Sequence, residues 1–169
     1  MTRLEIADPD AMHDLGLRLG RVLAAGDLLI LTGPLGAGKT TLTRGIGEGL
    51  GVRGPVQSPT FVLARTHPSL VGGAPLVHLD AYRLNDATEL DDLDIDFEAS
   101  VVVAEWGAGL IDEQESWVEI VIERPVGAGE AVDAGAGPEA ETDAEHELVE
   151  PRIVTIAGHG PRWQRGVLA

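Results

Sequence analysis

Apolar residues follow two different patterns in the first fifty residues, and each pattern predicts a different element. Between residues 8 and 25 they recur every three or four positions, which is typical of a helix with one buried face. Asp8 suits the N-cap of this helix and Pro9 its first turn. The continuous apolar run "DLLILT" at 27–32 is typical of a strand buried on both faces, and residues 38–50 are predicted to form a second helix.

Strand patterns dominate the rest of the chain. "TFVLART" (60–66) and "PLVHLDAYRL" (75–84) are joined by a Pro- and Gly-rich stretch, so a hairpin is expected. "SVVVAEW" (100–106) is a second buried run, "SWVEIVIER" (116–124) alternates, and "RIVTIAG" (152–158) predicts a last strand. Strands that alternate with helices indicate an α/β fold, with a mixed, mostly parallel sheet flanked by helices and an antiparallel edge.

Residues 126–150 differ sharply in composition from their surroundings. They hold eight acidic residues, no Lys or Arg and no aromatic residue, so they carry −8 of the total charge of −16. Such a segment buries too little apolar surface to offset its chain entropy. We interpret it as a disordered insertion within a single domain of residues 1–169, either a tolerated surface loop or an acidic arm that docks on a basic partner.

Charge and composition exclude some functions. A protein with a net charge of −16 and a pI near 4.5 repels phosphate backbones, so strong direct binding of nucleic acid is not expected. The apolar runs are too short to cross a bilayer. The chain has no cysteine and therefore no disulfide framework, which fits a cytoplasmic protein.

The stretch "GPLGAGKTT" contains Lys39, the only lysine among 12 basic residues. Gly33, four further residues and then Gly38-Lys39-Thr40 form the Walker A pattern of a phosphate-binding loop, placed as it requires between a predicted strand and a predicted helix. The glycines let backbone N–H groups surround phosphates, the ammonium binds the β and γ phosphates, and the Thr40 hydroxyl offers a ligand to Mg²⁺. The alternative is a Gly-rich turn with a surface lysine. The predicted nucleotide-binding residues of the loop are Gly33, Leu35, Gly36, Ala37, Gly38, Lys39, Thr40 and Thr41.

Two predicted strands downstream of the loop end in an acid. "LVHLD" ends at Asp80 and "VVVAE" ends at Glu105. A carboxylate at this end of a strand near a phosphate loop holds the Mg²⁺ water shell or positions the attacking water. Acids also end strands without any such role, and the pattern does not decide which of the two lies nearer the metal.

Four other residues each have a functional and a structural interpretation, and His78 has a structural one. Ser58 and Thr60 flank a proline in a predicted loop, which suits either a switch that senses the γ-phosphate or a simple turn. Arg83 could stabilise charge on the transferring phosphoryl group or pair with a nearby acid. Trp106 could pack against nucleotide or a partner, or fill the core. His78 is interpreted as packed or paired, with no metal cluster in the sequence around it.

Together, "GPLGAGKTT", "SPTF", "HLDAYRL" and "VVVAEWG" closely resemble the TsaE (YjeE) family of small bacterial ATPases required for threonylcarbamoyladenosine formation on tRNA. The resemblance runs from about residue 4 to 124 and resumes at "RIVTIAG". It implies one P-loop domain that binds ATP and Mg²⁺, with Thr40 and Glu105 on the metal. It also implies a catalytic or switch role for Asp80 and a nucleotide-responsive "SPTF" loop.

The resemblance further implies a protein partner and a slow reaction. Members of the family dock on a TsaB–TsaD pair, in which TsaD transfers the threonylcarbamoyl group and the ATPase resets the complex.

In this chain Met12 stands where the family usually has a threonine near the adenine, so packing against Met12 is expected to replace a hydroxyl contact. The acidic insertion is also longer than is typical of the family.

Three other classes of protein also bind nucleotides. A GTPase would need an Asn-Lys-x-Asp motif, which a chain with one lysine cannot contain in addition to its phosphate loop. A small-molecule kinase would need an acceptor pocket and usually an arginine-rich lid, and the sequence shows no such arginine cluster. A nucleotide-gated interaction module without turnover would share every binding motif, so it stays open as an alternative.

Overall fold

A computed structural model describes residues 1–34, 36–52, 54, 64–80, 95–105, 115–124 and 151–168. Within these ranges the predicted helices and strands form, with ends that differ from the predicted ones by a few residues. The elements in chain order are β1 (Thr2–Ile6), α1 (Pro9–Val22), β2 (Leu28–Thr32), α2 (Lys39–Leu50), β3 (Ala64–His67), β4 (Leu76–Asp80), β5 (Val101–Glu105), β6 (Trp117–Glu123), β7 (Arg152–His159) and a short 3-10 turn (Pro161–Trp163).

The strands form one seven-stranded sheet in the order β1-β7-β6-β2-β5-β4-β3. Its centre is parallel: β2 pairs with β5 and β6, and β5 pairs with β4. β3 pairs antiparallel with β4, as the predicted hairpin requires, and β7 pairs antiparallel with β6 and β1. The predicted α/β fold is therefore confirmed, and antiparallel pairs occur at both edges of the sheet.

The central strands are buried on both faces, which explains their continuous apolar sequences. On one face, Leu29, Leu31, Val101 and Val103 pack with the apolar faces of α1 and α2. On the other face lies a smaller cluster, formed by Leu28, Ile30, Val77, Leu79, Val102 and Ala104. Strand β6 alternates between buried and half-buried positions, as its sequence pattern predicts.

Helices α1 and α2 touch through glycines spaced four residues apart on each helix. A Cβ at Gly16 would overlap the carbonyl oxygen of Leu42 and come within 2.7 Å of the Cα of Gly45. A Cβ at Gly20 would lie 2.9 Å from the Cα of Gly49. The two helix backbones are therefore in direct contact, and we call these four glycines the glycine seam.

The chain after β7 returns to the amino end of β2. Arg162 donates from Nε and Nη2 to the two carboxylate oxygens of Asp27, the latter over 2.8 Å, and its guanidinium lies 4.3 Å above the ring of Trp163. Asp27 is buried and also accepts a 2.7 Å hydrogen bond from the N–H of Ala24. This bidentate ion pair fastens the C-terminal segment beneath β2.

Two expectations concern parts of the chain beyond the described residues. The acidic segment at 126–150 lies outside them, so its disorder and the single-domain organisation stay predictions. What the structure does give is the position of its two flanks: β6 and β7 are antiparallel neighbours, with Glu123 opposite Ile153. Among the described residues, none of the helices is both long enough and apolar enough to span a bilayer.

Candidate functional site

The loop after β2 turns abruptly into α2. Gly38 has a φ of 106°, a left-handed conformation that glycine adopts without strain, and α2 begins at the next residue. No side chain among the described residues caps this helix, so the N–H groups of its first turn can bind an anion. At the start of the loop Gly33 packs closely on β6, because a Cβ there would lie 3.1 Å from the carbonyl oxygen of Ile122.

Lys39 extends from the first turn of α2 back over the loop. Its Nζ donates a 2.7 Å hydrogen bond to the carbonyl oxygen of Gly33 and lies 3.9 Å from Oε1 of Glu105. Burial lowers the pKa of Lys39, and the nearby carboxylates of Glu105 and Asp80 offset part of that effect. The ammonium therefore lies between the loop backbone and the two acids predicted from the sequence.

Asp80 and Glu105 end adjacent parallel strands and are directly opposite each other in the register of β4 and β5. Glu105 is buried and Asp80 is half-buried. Burial alone would raise the pKa of Glu105, but His78 and Lys39 outweigh it, so the pKa is lowered and the group is a carboxylate at neutral pH. The structure thus brings both predicted acids to the carboxyl end of the sheet beside Lys39.

The other predicted loop residues are placed as follows. Thr40 and Thr41 are half-buried in the first turn of α2, and Ala37 is fully buried. Met12 is buried beneath the loop, where its Cε would lie 3.2 Å from a Cβ at Gly38. Met12 therefore supports the loop from below, and its contact with adenine stays a prediction. Leu35 lies outside the described residues.

Two residues near the loop were not predicted to act there. His78 is fully buried, with Nε2 3.2 Å from Oε2 of Glu105. Arg152, also buried, lies at the start of β7 and donates from Nη2 to the carbonyl oxygen of Gly36 over 3.4 Å. His78 precedes Asp80 by two residues, but its distance to Glu105 could not be predicted from the sequence. No sequence pattern indicated that β7 reaches the loop.

Ser58, Thr60, Arg83 and Trp106 lie outside the described residues. The interpretations of these residues as switch, charge-stabilising or partner-contacting groups therefore stay predictions.

The donor chemistry at the loop fits the nucleotide and metal that the sequence implies. The uncapped helix end and the ammonium of Lys39 suit phosphate oxygens. Glu105 and the Thr40 hydroxyl are hard oxygen donors. Within the described ranges no cluster of three or more His, Asp or Glu side chains could hold a metal alone. Mg²⁺ is commonly bound by one or two carboxylates together with substrate phosphates, so the residues present suit that arrangement.

Comparisons with known proteins agree on one family. A family profile described as "Threonylcarbamoyl adenosine biosynthesis protein TsaE" matches residues 6–128. A tRNA threonylcarbamoyladenosine biosynthesis protein TsaE from Streptomyces coelicolor is 51% identical over 156 residues, covering 90% of this chain and 93% of the relative. One from Bacillus subtilis is 46% identical over 102 residues, covering 59% of this chain and 63% of the relative.

A solved structure agrees with the fold. The crystal structure of Bacillus subtilis YdiB superposes with a TM-score of 0.63 at 26% sequence identity, covering 95% of this chain and 86% of that one. The family profile covers most of the chain and includes β2, the phosphate loop, α2, β4 and β5. The chain therefore belongs to the TsaE family of threonylcarbamoyl adenosine biosynthesis proteins.

Proposed function

We propose that this protein is a Mg²⁺-dependent ATPase that acts in threonylcarbamoyladenosine modification of tRNA by binding and hydrolysing ATP on a TsaB–TsaD complex. The observation that carries the proposal is the convergence of Lys39, Asp80 and Glu105 beside a glycine loop that leads into an uncapped helix. Relatives whose names state a role in tRNA threonylcarbamoyladenosine biosynthesis support the process in which the ATPase would act.

Each residue of the site has a specific task in this proposal. Lys39 and the N–H groups of the first turn of α2 bind the β and γ phosphates and offset their charge. Thr40 and Glu105 would hold Mg²⁺, which when bound supplies positive charge to the phosphate oxygens. Asp80 positions the attacking water. Hydrolysis of this kind depends mainly on positioning and charge stabilisation, so the compact set of residues at the loop is sufficient.

The charge of the protein supports a division of labour with partner proteins. At −16, the chain is poorly suited to hold tRNA itself, and a TsaB–TsaD pair could hold it instead. A low intrinsic turnover that the pair stimulates follows if docking on the pair improves the positioning of the reacting groups.

Phosphate release from ATP, measured with and without the TsaB–TsaD pair, tests this function. Mg²⁺-dependent release that the pair stimulates supports the proposal, and the Lys39→Ala variant serves as the inactive control. Transfer of phosphate to a metabolite in place of water would indicate a small-molecule kinase. Nucleotide binding without release under either condition would indicate a nucleotide-gated interaction module.

A further inference from the structure

His78 is a buried polar residue to which the proposed reaction assigns no role. It lies in β4 two residues before Asp80, so its side chain points to the same face of the sheet. Its side chain has no solvent exposure, and within the described part of the chain neither ring nitrogen has an aligned hydrogen bond. Burying an imidazole costs free energy unless a polar group compensates it.

Among the described residues, the carboxylate of Glu105 lies within hydrogen-bonding distance of His78. Nε2 of His78 lies 3.2 Å from Oε2, and Nζ of Lys39 lies 3.9 Å from Oε1. The two oxygens therefore face different partners. Oε2 faces the buried imidazole of His78, and Oε1 faces Lys39 at the phosphate loop. The contact with His78 is already within the distance of a hydrogen bond.

We propose that His78 is a positioning residue that fixes the Glu105 carboxylate with Oε1 toward the phosphate loop, and so sets the affinity of the nucleotide site for Mg²⁺. The inference rests on the proposed function, because it gives Glu105 a metal to hold. A glutamate side chain has several rotatable bonds, and restricting them before the metal arrives lowers the entropic cost of binding. Residues that hold a ligating carboxylate typically change metal affinity by about 10- to 100-fold when they are replaced.

Three variants separate positioning from mere filling of space. His78→Phe keeps a ring of similar shape and removes both nitrogens. His78→Gln places its side-chain amide N–H at about the same distance from the backbone as Nε2. His78→Asn places its amide N–H at about the distance of Nδ1 instead. If Nε2 is the group that matters, Gln restores function and Asn does not.

The measurement is a Mg²⁺ titration of each variant mixed with a fluorescent ADP analogue, together with nucleotide affinity in EDTA and the melting temperature. We expect His78→Phe to bind nucleotide normally in EDTA and to need about tenfold more Mg²⁺ for half-saturation. His78→Gln should return most of the way to the wild-type value, and His78→Asn should resemble His78→Phe.

The outcomes distinguish this inference from the function on which it rests. If wild type and the Phe, Gln and Asn variants all reached half-saturation at the same Mg²⁺ concentration, the inference would be overturned and the proposed function would be unaffected. If the His78 variants lost nucleotide affinity equally in EDTA and in Mg²⁺, the role of His78 would be structural, and the inference would be overturned as well. If His78→Phe does not fold, the contrast between Gln and Asn decides. Wild-type protein that binds no nucleotide in either condition would overturn the proposed function.

Discussion

At the scale of single residues, the nucleotide proposal depends most directly on Lys39. It is the one lysine in the chain, and its ammonium lies against the loop carbonyl of Gly33 beside two acids. Replacing it removes the cation and also takes away a positive charge that lies beside Glu105 and Asp80. The same change would therefore weaken phosphate binding in two ways, by lost attraction and by uncompensated repulsion.

We expect Lys39→Ala to lower the affinity for ATP by at least about a hundredfold, since a hydrogen bond between charged groups contributes roughly 1.5–3 kcal/mol and the repulsion adds to it. Calorimetric titration with ATP and Mg²⁺ would measure the change. Arg18→Ala, on the exposed face of α1, is the matched control and should bind ATP normally. Unchanged affinity in Lys39→Ala would refute the site.

The ion pair between Arg162 and Asp27 leads to a second prediction at this scale. Arg162→Leu leaves the buried carboxylate of Asp27 with the Ala24 N–H but without its cation. We expect a loss of about 1–2 kcal/mol in the free energy of unfolding, less than for a fully buried pair because Arg162 is partly exposed. Urea denaturation would measure it. Arg165→Leu, at a nearby exposed position, should have no effect; equal stability of the two variants would contradict the prediction.

The identities of the site residues could be predicted from the sequence more fully than the distances between them. Lys39, Asp80 and Glu105 were identified because a short motif and the ends of apolar runs mark them, and parallel strands bring such ends to one edge of a sheet. The contacts of His78 with Glu105 and of Arg152 with Gly36 depend on which strands become neighbours. Strand order is set by packing of the whole sheet, so no local pattern revealed these contacts.

At the scale of elements, the contact between α1 and α2 depends on glycines that have no room for a side chain. Gly16→Ala would push its Cβ into the backbone of Leu42 and Gly45, while gaining helix propensity at the same position. We expect the steric cost to prevail and to lower the free energy of unfolding by about 1–3 kcal/mol. Thermal unfolding would detect it.

Gly73→Ala is the matched control for this change. A Cβ at Gly73 would have its nearest neighbour, Oγ of Ser69, at 3.6 Å, an ordinary contact distance. The control should melt close to wild type. If Gly16→Ala were as stable as the control, the helices would have to separate without cost, and the glycine seam would not be a close backbone contact.

Elements were predicted more reliably than their partners in the sheet. Both helices and the strands β2 to β7 were expected, because continuous or periodic apolar runs mark them. Strand β1 was not, since only Leu4 and Ile6 alternate there and five residues give a weak signal. The four-residue glycine spacing in α1 and α2 is visible in the sequence, but it acquires its meaning only from the observed contact between the two helices.

At the scale of the whole molecule, we expect residues 127–149 to be dispensable for folding, and a shortened protein can test this. The flanking strands β6 and β7 are already paired, with Glu123 opposite Ile153, so a short Gly-Ser linker can replace the segment without moving either strand. We expect the shortened protein to keep its melting temperature and its basal ATPase rate. A large fall in melting temperature would show that the segment contributes to the core.

The comparison of full-length and shortened proteins also tests the alternative role of the acidic segment. Removing it would take away about half of the net negative charge. If it is an acidic arm for a basic partner, stimulation by the TsaB–TsaD pair should fall while the basal rate stays the same. Equal stimulation of the two proteins would favour a tolerated surface loop.

The glycine seam has a consequence for how ligand binding can be followed in this protein. Because α2 begins at Lys39 and lies against α1 backbone to backbone, the two helices cannot slide past each other without steric overlap. Their central amides should therefore exchange slowly with deuterated solvent whether or not nucleotide is present. That pair of helices offers an internal reference for hydrogen-exchange mass spectrometry, against which faster or slower exchange elsewhere in the chain can be calibrated.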